Sequence, residues 1–470
     1  MQAIHSIRPG RQVDLIHGPI FRNLLIFAIP IFISNLFQQL YNAADTMIVG
    51  NVLGDTSLAA VGACGSIYEL LVGFGIGIGN GLAIVTARAY GAEDPEKVKK
   101  TVAGSIIIGL AASALITLAG LLFLRPLLRA LDTPPEIIDQ AYSYIRPIAQ
   151  WVVVMFSYNL CAALLRAVGN SVMPLVFLIF SSCLNVGLDY WFVAGLEMGV
   201  RGAAVATVLS QALSVALCIL YILRRAPHLV PGREHFKPER GLYAELVTQG
   251  LSMGLMSSIV SAGSVILQYG INGLGTLTIA GHTAARKLFT FTDMPVIAMA
   301  TACSTFVSQN RGADKPDRIR RGMRQVWLFG LGVAVVMTAL MWLCAGVLVK
   351  LVSGSDAAVV LENGARYLRW TAPFYSVLGV LLATRYALQS LGQKILPLFS
   401  SVIELIGKII FMLFFIPRFG YNAVILCEPV IWCFMCVQLV CSYWNDPYIK
   451  ASRERARKKS KMCDKNVDNL

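Results

Sequence analysis

Long apolar runs separated by short polar breaks follow one another along almost the whole chain. Three of the clearest runs, 24–49, 101–124 and 325–349, each exceed the ~20 helical residues that cross a ~30 Å hydrocarbon layer. The pattern predicts twelve membrane-spanning helices. Their predicted bounds are 22–46, 57–81, 102–124, 137–160, 172–195, 200–223, 245–270, 279–305, 325–349, 362–387, 395–417 and 421–445.

Composition agrees with this all-α integral membrane class. Of the 470 residues, 56% are hydrophobic and 14% are charged, whereas a soluble chain carries roughly 25% charged residues. The first twenty residues have no apolar core followed by a small-residue cleavage site, so we expect the first hydrophobic helix to direct insertion.

Lys and Arg lie mostly on one side of the predicted spans. With the N-terminus inside, the cytoplasmic segments hold most of the 40 Lys and Arg residues, and the outer loops hold few. This asymmetry predicts a multi-pass protein of the plasma membrane with both termini in the cytoplasm. It also accounts for the net charge of +14, so no nucleic-acid partner is needed, and we expect the basic tail RERARKKSK to lie in solvent near anionic lipid.

The chain contains an internal repeat. NVLGDTSLAAVGA (51–63) resembles NGLGTLTIAGHTA (272–284), and YGAEDPEKVKK (90–100) resembles RGADKPDRIRR (311–321), both at an offset of 221 residues. LRAVGNSVMPL (165–175) resembles LQSLGQKILPL (388–398) at an offset of 223. The protein is therefore predicted to consist of two six-helix halves.

An even number of spans makes the two halves parallel repeats, and the usual working model for such an architecture is rocking of the halves around a central cavity. The fold thus points to a transporter by analogy alone. The predicted divisions are a cytoplasmic tail (1–20), an N-terminal bundle (21–223), a cytoplasmic linker (224–243), a C-terminal bundle (244–446) and a basic tail (447–470).

The first half places four oxygen-bearing side chains at one depth in the membrane. Asp45, Asn185, Asp189 and Thr207 lie on three predicted helices, and the two acids and the threonine lie about 9–12 Å below the outer helix ends. The second half does not repeat them, since the equivalent positions hold Ile266, Lys408, Met412 and Glu428. Hard oxygen ligands suit Na⁺ or a bound proton, and acids in a membrane are functional candidates. The alternative is that the acids only cap helix ends or bind neighbouring amides and stabilise packing.

The second half has its own buried charges. Glu404 and Lys408 are four residues apart on one helix and are predicted to form an ion pair. Glu428 and Arg385 are predicted to complete a neutral network. We favour a structural or gating role for this network over a second ion site. His282 is predicted to be a packed polar residue.

Small residues and proline have structural interpretations. FGIGIGNG (74–81) lacks the strand and the Lys-Ser/Thr pair of a phosphate loop, so we expect its glycines to let helices approach closely. Pro30 should kink the first helix or weaken its hydrogen-bond ladder. Most cysteines lie within apolar runs without metal-ligand spacing and are predicted to be packing residues.

Several motifs resemble the multidrug and toxic compound extrusion (MATE) family over roughly residues 15–445. They are the Ile-Pro pair of the first helix, LYNAADTMIVGNVLGDTSLAAVG, LRAVGN, LNVGLDYWFVAG and GVRGAAVAT. The resemblance implies efflux of organic cations or other drugs in exchange for external Na⁺ or H⁺. It also implies a coupling-ion role for Asp45, Asn185, Asp189 and Thr207 and bending at Pro30. The seventh span, LSMGLMSSIVSAGSVIL, has no carboxylate, so the second-half cation site of some members is not expected.

Two other classes of function compete with this one. A lipid or lipid-linked oligosaccharide flippase of the related families would use basic residues such as Arg385 and Lys408 for phosphate, but the first-half acids argue against it. A membrane enzyme is disfavoured because no Ser-His pair, HExxH motif or acidic metal motif is present. We therefore expect a monomeric transporter of small molecules that uses no cofactor other than its coupling ion, Na⁺ or H⁺.

Overall fold

The computed structural model describes residues 12–130 and 133–455, which form helices and contain no strand. The first group of helices is α1 (Ile20–Leu53), α2 (Asp55–Ala63), α3 (Gly65–Gly91), α4 (Pro95–Ala130), α5 (Pro135–Gln150), α6 (Val152–Ala167), α7 (Val172–Tyr190) and α8 (Val200–Arg225). The second group is α9 (Arg240–Asn272), α10 (Thr276–Gly312), α11 (Pro316–Ser353), α12 (Ala358–Thr371), α13 (Tyr375–Leu391), α14 (Ile395–Ile410), α15 (Ile416–Phe419) and α16 (Tyr421–Asn445).

Helices occupy all twelve positions where the apolar pattern predicts spans. Among the described residues, nine helices are long and apolar enough to cross a membrane, and α5 with α6 forms a tenth span bent by 52°. The other two predicted spans correspond to α10 and to the pair α12 and α13. The all-α membrane class is thus confirmed.

The second predicted span, 57–81, differs from the structure. It is divided at Cys64 into the short helix α2 and the long helix α3, which continues ten residues beyond the predicted end. Gly54, with φ of 82°, separates α1 from α2. Hydropathy alone does not locate the break at Cys64, because the sequence on both sides of Cys64 is apolar.

The repeat is visible in the backbone. Glycines with φ in the left-handed region, where a Cβ is unfavourable, recur at the repeat offset: Gly54 and Gly275, Gly169 and Gly392, Gly199 and Gly420. Glu93 and Asp314 share the same property with φ of 55° and 51°. A π-helical turn follows α7 at Trp191–Gly195, and another follows α14 at Phe411–Phe415. Both halves therefore use the same turns and helix irregularities.

Packing divides the described chain into two compact units. Unit 1 comprises residues 12–14 and Ile26–Ser261, and unit 2 comprises Leu15–Leu25 and residues 262–455. Helices α1 and α9 each begin in one unit and continue into the other. The two sequence halves and the two packing units are different divisions of the chain. The halves are defined by the similarity of the repeated sequences, and the units are defined by which residues pack together.

Glycines bring α3 and α9 into backbone contact within unit 1. A Cβ on Gly77 would lie 2.7 Å from the carbonyl oxygen of Met253, and a Cβ on Gly81 would lie 2.6 Å from that of Gln249. No side chain fits at these distances. The prediction that FGIGIGNG serves close helix packing is confirmed.

A helix over residues 447–455 follows α16 and packs on the segment between α10 and α11 in unit 2. The Tyr448 hydroxyl donates to Asp314 at 2.9 Å, and the Ser452 hydroxyl donates to Asp317 at 2.8 Å. Burial raises the pKa of Tyr448 to about 12. The beginning of the predicted basic tail is therefore docked, whereas 456–470, with most of RERARKKSK, lies outside the described residues.

Candidate cation site

Three helices of unit 1 bring the four first-half candidates together. Asp45 lies on α1, Asn185 and Asp189 lie one turn apart on α7, and Thr207 lies on α8. All four are buried; Asp189 is 0% exposed and Asp45 is 9% exposed. We call these four residues the first-half site.

Direct contacts link the members of the first-half site. The Asn185 amide nitrogen donates to the Thr207 hydroxyl at 3.4 Å, and that hydroxyl donates to the Ala203 carbonyl at 3.1 Å. The carboxyl groups of Asp45 and Asp189 interact with each other. The structure therefore places in one cluster the residues that the depth argument selected.

Four oxygen atoms of this cluster accept no hydrogen bond from any described residue. They are both carboxylate oxygens of Asp189, Oδ1 of Asp45 and Oδ1 of Asn185. A buried acceptor without a donor costs roughly 1–3 kcal/mol, and more when it is charged. Two neighbouring carboxylates also repel each other when both are ionised. A bound proton or a small hard cation relieves both penalties.

Three tyrosines interact with Asp45, and none of them was predicted from the sequence. Tyr144 of α5 interacts with Asp45, and Tyr41 of α1 and Tyr68 of α3 lie near enough to interact electrostatically with the same acid. Tyr41 is four residues before Asp45, so the helical period offered a signal for it. Tyr68 and Tyr144 come from other helices, and only packing reveals them.

The donor set fits Na⁺ or H⁺. Carboxylate, amide and hydroxyl oxygens are ligands of hard cations, and each of the four residues carries such an oxygen. No cluster of three or more His, Cys, Asp or Glu side chains suited to a metal ion occurs in residues 12–130 and 133–455. The first-half site therefore has the donors of an alkali-cation or proton site and lacks those of a zinc or iron centre.

Pro30 lies inside α1, as the sequence predicts, and α1 continues through it. The Ser34 hydroxyl donates to the Pro30 carbonyl at 2.8 Å. Pro30 has no N–H to donate to the preceding turn. The helix that carries Asp45 thus has a weaker hydrogen-bond ladder at one defined point.

The second-half charges form a chain of ion pairs inside unit 2. Lys408 Nζ lies 2.9 Å from Glu404 and 3.9 Å from Glu428, and Arg385 lies 3.7 Å from Glu404. Arg286 of α10 lies 2.7 Å from Glu428. We call Arg286, Arg385, Glu404, Lys408 and Glu428 the second-half cluster.

Arg286 changes the charge of this cluster and was not among the candidates. With it the cluster carries three positive and two negative charges, instead of the neutral set that the sequence suggested. Asp293, seven residues further along α10, also interacts with Arg286. The Tyr367 hydroxyl donates to Glu428 at 3.0 Å. The Arg286–Lys287 pair, in a stretch of α10 that has no other Lys or Arg before Arg311, was the available signal.

His282 lies beside this cluster and is packed by aromatic rings. Its Nδ1 is 3.2 Å from the Tyr421 hydroxyl, and its ring meets the Tyr367 ring edge-on at 5.0 Å. A cavity of about 90 Å³ is lined by His282, Arg286 and Glu428 together with α9 residues such as Ser264. Both polar and apolar side chains line the cavity, and it has room for only a few atoms.

The ten cysteines within the described residues are free, and Cys64, Cys218, Cys303 and Cys427 are buried. Cys433 and Cys436, which two residues separate in the sequence, form no disulfide. Their place inside helices agrees with the predicted packing role.

A membrane protein with two six-helix repeats and charged clusters buried among its spans has the architecture of a secondary transporter. The MatE family model matches the chain twice, over residues 30–191 and 253–414. The two matched stretches begin 223 residues apart, which is the repeat offset. The chain belongs to the MatE family and is a transporter rather than an enzyme.

Bacterial proteins similar to this chain are named as multidrug resistance or multidrug export proteins. The chain is 26% identical over 394 residues to the probable multidrug resistance protein YpnP of Bacillus subtilis, covering 84% of this chain and 88% of the relative. It is 22% identical over 431 residues to the multidrug export protein MepA of Staphylococcus saprophyticus, covering 90% and 92%.

Solved MATE structures share the fold. A MATE protein in complex with MaL6 superposes with a TM-score of 0.84 at 22% identity, covering 92% of this chain and 98% of that one. An outward-facing multidrug resistance MATE transporter superposes with a TM-score of 0.84 at 24% identity, covering 94% and 99%. At such identities the likeness concerns the fold, and it agrees with the twelve-helix, two-repeat architecture.

Proposed function

We propose that this transporter is an antiporter that exchanges external Na⁺ or H⁺ for cytoplasmic organic cations, with both termini in the cytoplasm of a cell whose plasma membrane it spans. The observation that carries the proposal is the set of four buried oxygens in the first-half site without a hydrogen-bond donor among the described residues. A coupling ion supplies the missing positive charge.

Each residue of the first-half site has a distinct task. Asp45 and Asp189 provide the negative charge, which one proton or one Na⁺ partly neutralises. Asn185 turns its amide nitrogen to Thr207, and this hydrogen bond leaves the amide oxygen free to face the ion. Thr207 offers a hydroxyl lone pair while its own proton goes to Ala203.

Coupling requires that the ion bind one conformation of the transporter more tightly than the other. The first-half site draws on α1, α7 and α8, so a shift of α1 at Pro30 changes the distance between Asp45 and the α7 residues. An ion that bridges the two acids therefore stabilises the conformation in which α1 lies close to α7. Neutralised acids also release a bound organic cation more readily, which gives exchange.

The relatives support the substrate class. YpnP and MepA are named as multidrug resistance and export proteins, and we extend this property to the present chain. Apolar and aromatic cavity walls bind organic cations of many shapes, since dispersion and apolar burial need no particular hydrogen-bond pattern.

Efflux from proteoliposomes tests the proposal. A fluorescent organic cation is loaded inside, and a Na⁺ gradient or a proton gradient is imposed separately. We expect one gradient to drive the cation across the membrane in wild type and in Asp139→Asn, whose carboxylate pairs with Arg125 at an exposed position, but not in Asp189→Asn. Equal driven transport in Asp189→Asn would contradict the proposal.

A flippase for anionic lipids or lipid-linked oligosaccharides is the second candidate, and the excess positive charge of the second-half cluster favours it. The contacts of Glu404 and Glu428 with those cations weigh against it, because the positive charges are already paired. Transfer of a fluorescent anionic lipid between leaflets of the same vesicles, without organic cation transport, would select this function.

A further inference from the structure

Unit 1 contains an apolar groove of about 270 Å³ that the first-half site does not use. Helices α4, α6 and α8 form its walls, and the linker that follows α8 closes one end. Representative lining residues are Val102, Leu160, Ile222 and Pro231. Ser157 and Cys161 are the few residues with a polar side-chain atom among those that line it.

The groove opens to the outside of unit 1 at membrane depth. Leu110 is 54% exposed and Leu223 is 57% exposed, and both line it. Val102 lies about 10 Å from the start of α4, and Ile222 lies about 5 Å from the end of α8. The groove therefore reaches from the apolar layer almost to the membrane surface on the linker side.

Basic residues lie near the end of the groove that reaches the membrane surface on the linker side. Lys99 precedes Val102 by three residues on α4, and Arg225 follows Ile222 by three residues on α8, so each basic residue neighbours a lining residue on its helix. Arg233, two residues after Pro231, is exposed. Lys99 Nζ lies 4.0 Å from Oε1 of Glu96, whose Oε2 lies closer, at 2.9 Å, to Nε2 of His235.

We propose that this groove is a binding site for an anionic glycerophospholipid. One acyl chain lies along the apolar walls, and the phosphate lies beside Lys99 and Arg225. Basic pockets between membrane helices are known to select anionic headgroups. The positive rim repels the organic cations that the transporter exports, and a space of this volume is too narrow for a protein helix.

Lipid binding by the delipidated protein, followed by native mass spectrometry, tests the headgroup contact. The probe is phosphatidylglycerol, and phosphatidylcholine with the same chains is the comparison. At about 1 kcal/mol per basic residue near the surface, we expect Lys99→Gln/Arg225→Gln to bind phosphatidylglycerol about 30-fold more weakly than wild type. Arg129→Gln/Arg418→Gln removes two exposed cations outside the groove and should bind like wild type.

Filling the groove tests the acyl contact. Leu110→Trp should reduce phosphatidylglycerol binding, whereas Leu115→Trp, at a position on the same helix that is 65% exposed and does not line the groove, should not. Circular dichroism and elution volume confirm that each variant is folded. Inorganic phosphate at millimolar concentration should fail to displace the lipid, because it lacks the acyl chain.

Three results would overturn the proposal. One is equal affinity of wild type and Lys99→Gln/Arg225→Gln for phosphatidylglycerol. The second is equal loss of binding in Leu110→Trp and Leu115→Trp. The third is full displacement of the lipid by inorganic phosphate, which would show an anion site without an acyl groove. None of these readouts depends on transport.

Discussion

Asp189 is the more deeply buried of the two acids in the first-half site. It is fully buried on α7, and neither of its carboxylate oxygens accepts a hydrogen bond from the described residues. An ionised carboxylate in such a place costs several kcal/mol unless a counter-charge is bound. The stability of the chain should therefore depend on the coupling ion.

Asp189→Asn should remove that dependence. The amide carries no charge. In sodium-free buffer, at a pH where the acids are ionised, we therefore expect the unfolding temperature of the variant to equal or exceed that of wild type. The stabilisation by saturating Na⁺, ~3 kcal/mol at a hundredfold excess over Kd, should be lost. Thermal unfolding in sodium and in choline buffers measures this, and an unchanged sodium shift in the variant would refute a role of Asp189 in a sodium site.

Thr207 allows a test of a single ligand atom. Thr207→Val keeps the shape and removes the hydroxyl, so we expect coupling-ion affinity to fall roughly tenfold, which is about 1.4 kcal/mol. Thr207→Ser restores the hydroxyl and should recover most of the affinity. Ion titrations of transport rate measure the change, and equal affinities for the valine and serine variants would show that the hydroxyl does not bind the ion.

Glu428 holds the second-half cluster together, since Arg286, Tyr367 and Lys408 all contact it. Glu428→Gln leaves the three cations of the cluster with Glu404 as their one glutamate and removes the carboxylate that pairs with Arg286, so we expect a loss of about 3 kcal/mol of unfolding free energy. Glu362→Gln, at an exposed position of α12, should be neutral. A glutamine variant as stable as wild type would show that the cluster contributes nothing to folding.

At the scale of elements, helix contact depends on a few positions without a side chain. α3 approaches α9 at Gly77 and Gly81, where backbone atoms already occupy the place of a Cβ. Gly73 lies on the same helix, and a Cβ there meets no atom within 4 Å. The three glycines thus belong to one helix but differ in what surrounds them.

Gly81→Ala and Gly73→Ala should change stability in opposite directions. The first forces α3 and α9 apart and should destabilise the protein by about 1–3 kcal/mol. The second gains helix propensity and should stabilise it by up to ~1 kcal/mol. Thermal unfolding of the two variants in the same detergent measures the difference, and equal shifts would contradict the packing account.

At the scale of the whole molecule, one scaffold is used twice with different chemistry. The repeated left-handed glycines and π-helical turns keep the two halves alike. The first half holds two acids with unpaired oxygens, whereas the second half holds a set of paired charges. A duplicated backbone has therefore kept its turns while its buried polar residues diverged.

The parts of this architecture that depend on local sequence were predictable. The apolar period locates the twelve helical positions, and the offset of 221 to 223 residues locates the repeat. The helical rise and the predicted helix ends are enough to place Asp45 and Asp189 at the same depth in the membrane. These features follow from the length of a span and from the helical rise, which the sequence contains directly.

Features that depend on contacts between helices were not predictable. The break at Cys64 lies within apolar sequence, and the meeting of Arg286 with Glu428 joins residues 142 positions apart. Tyr144 approaches Asp45 from another helix. A single sequence contains no distance between such residues, because their separation is set by packing.

The most direct test of the account is the movement of the coupling ion itself. Proteoliposomes receive an organic cation on one side with no ion gradient, and movement of Na⁺ or H⁺ is followed with radioactive sodium or a pH-sensitive dye. The account predicts ion movement opposite to the organic cation in wild type and in Asp139→Asn, and none in Asp189→Asn. Organic cation transport by wild type without any counter-movement of Na⁺ or H⁺ would contradict it.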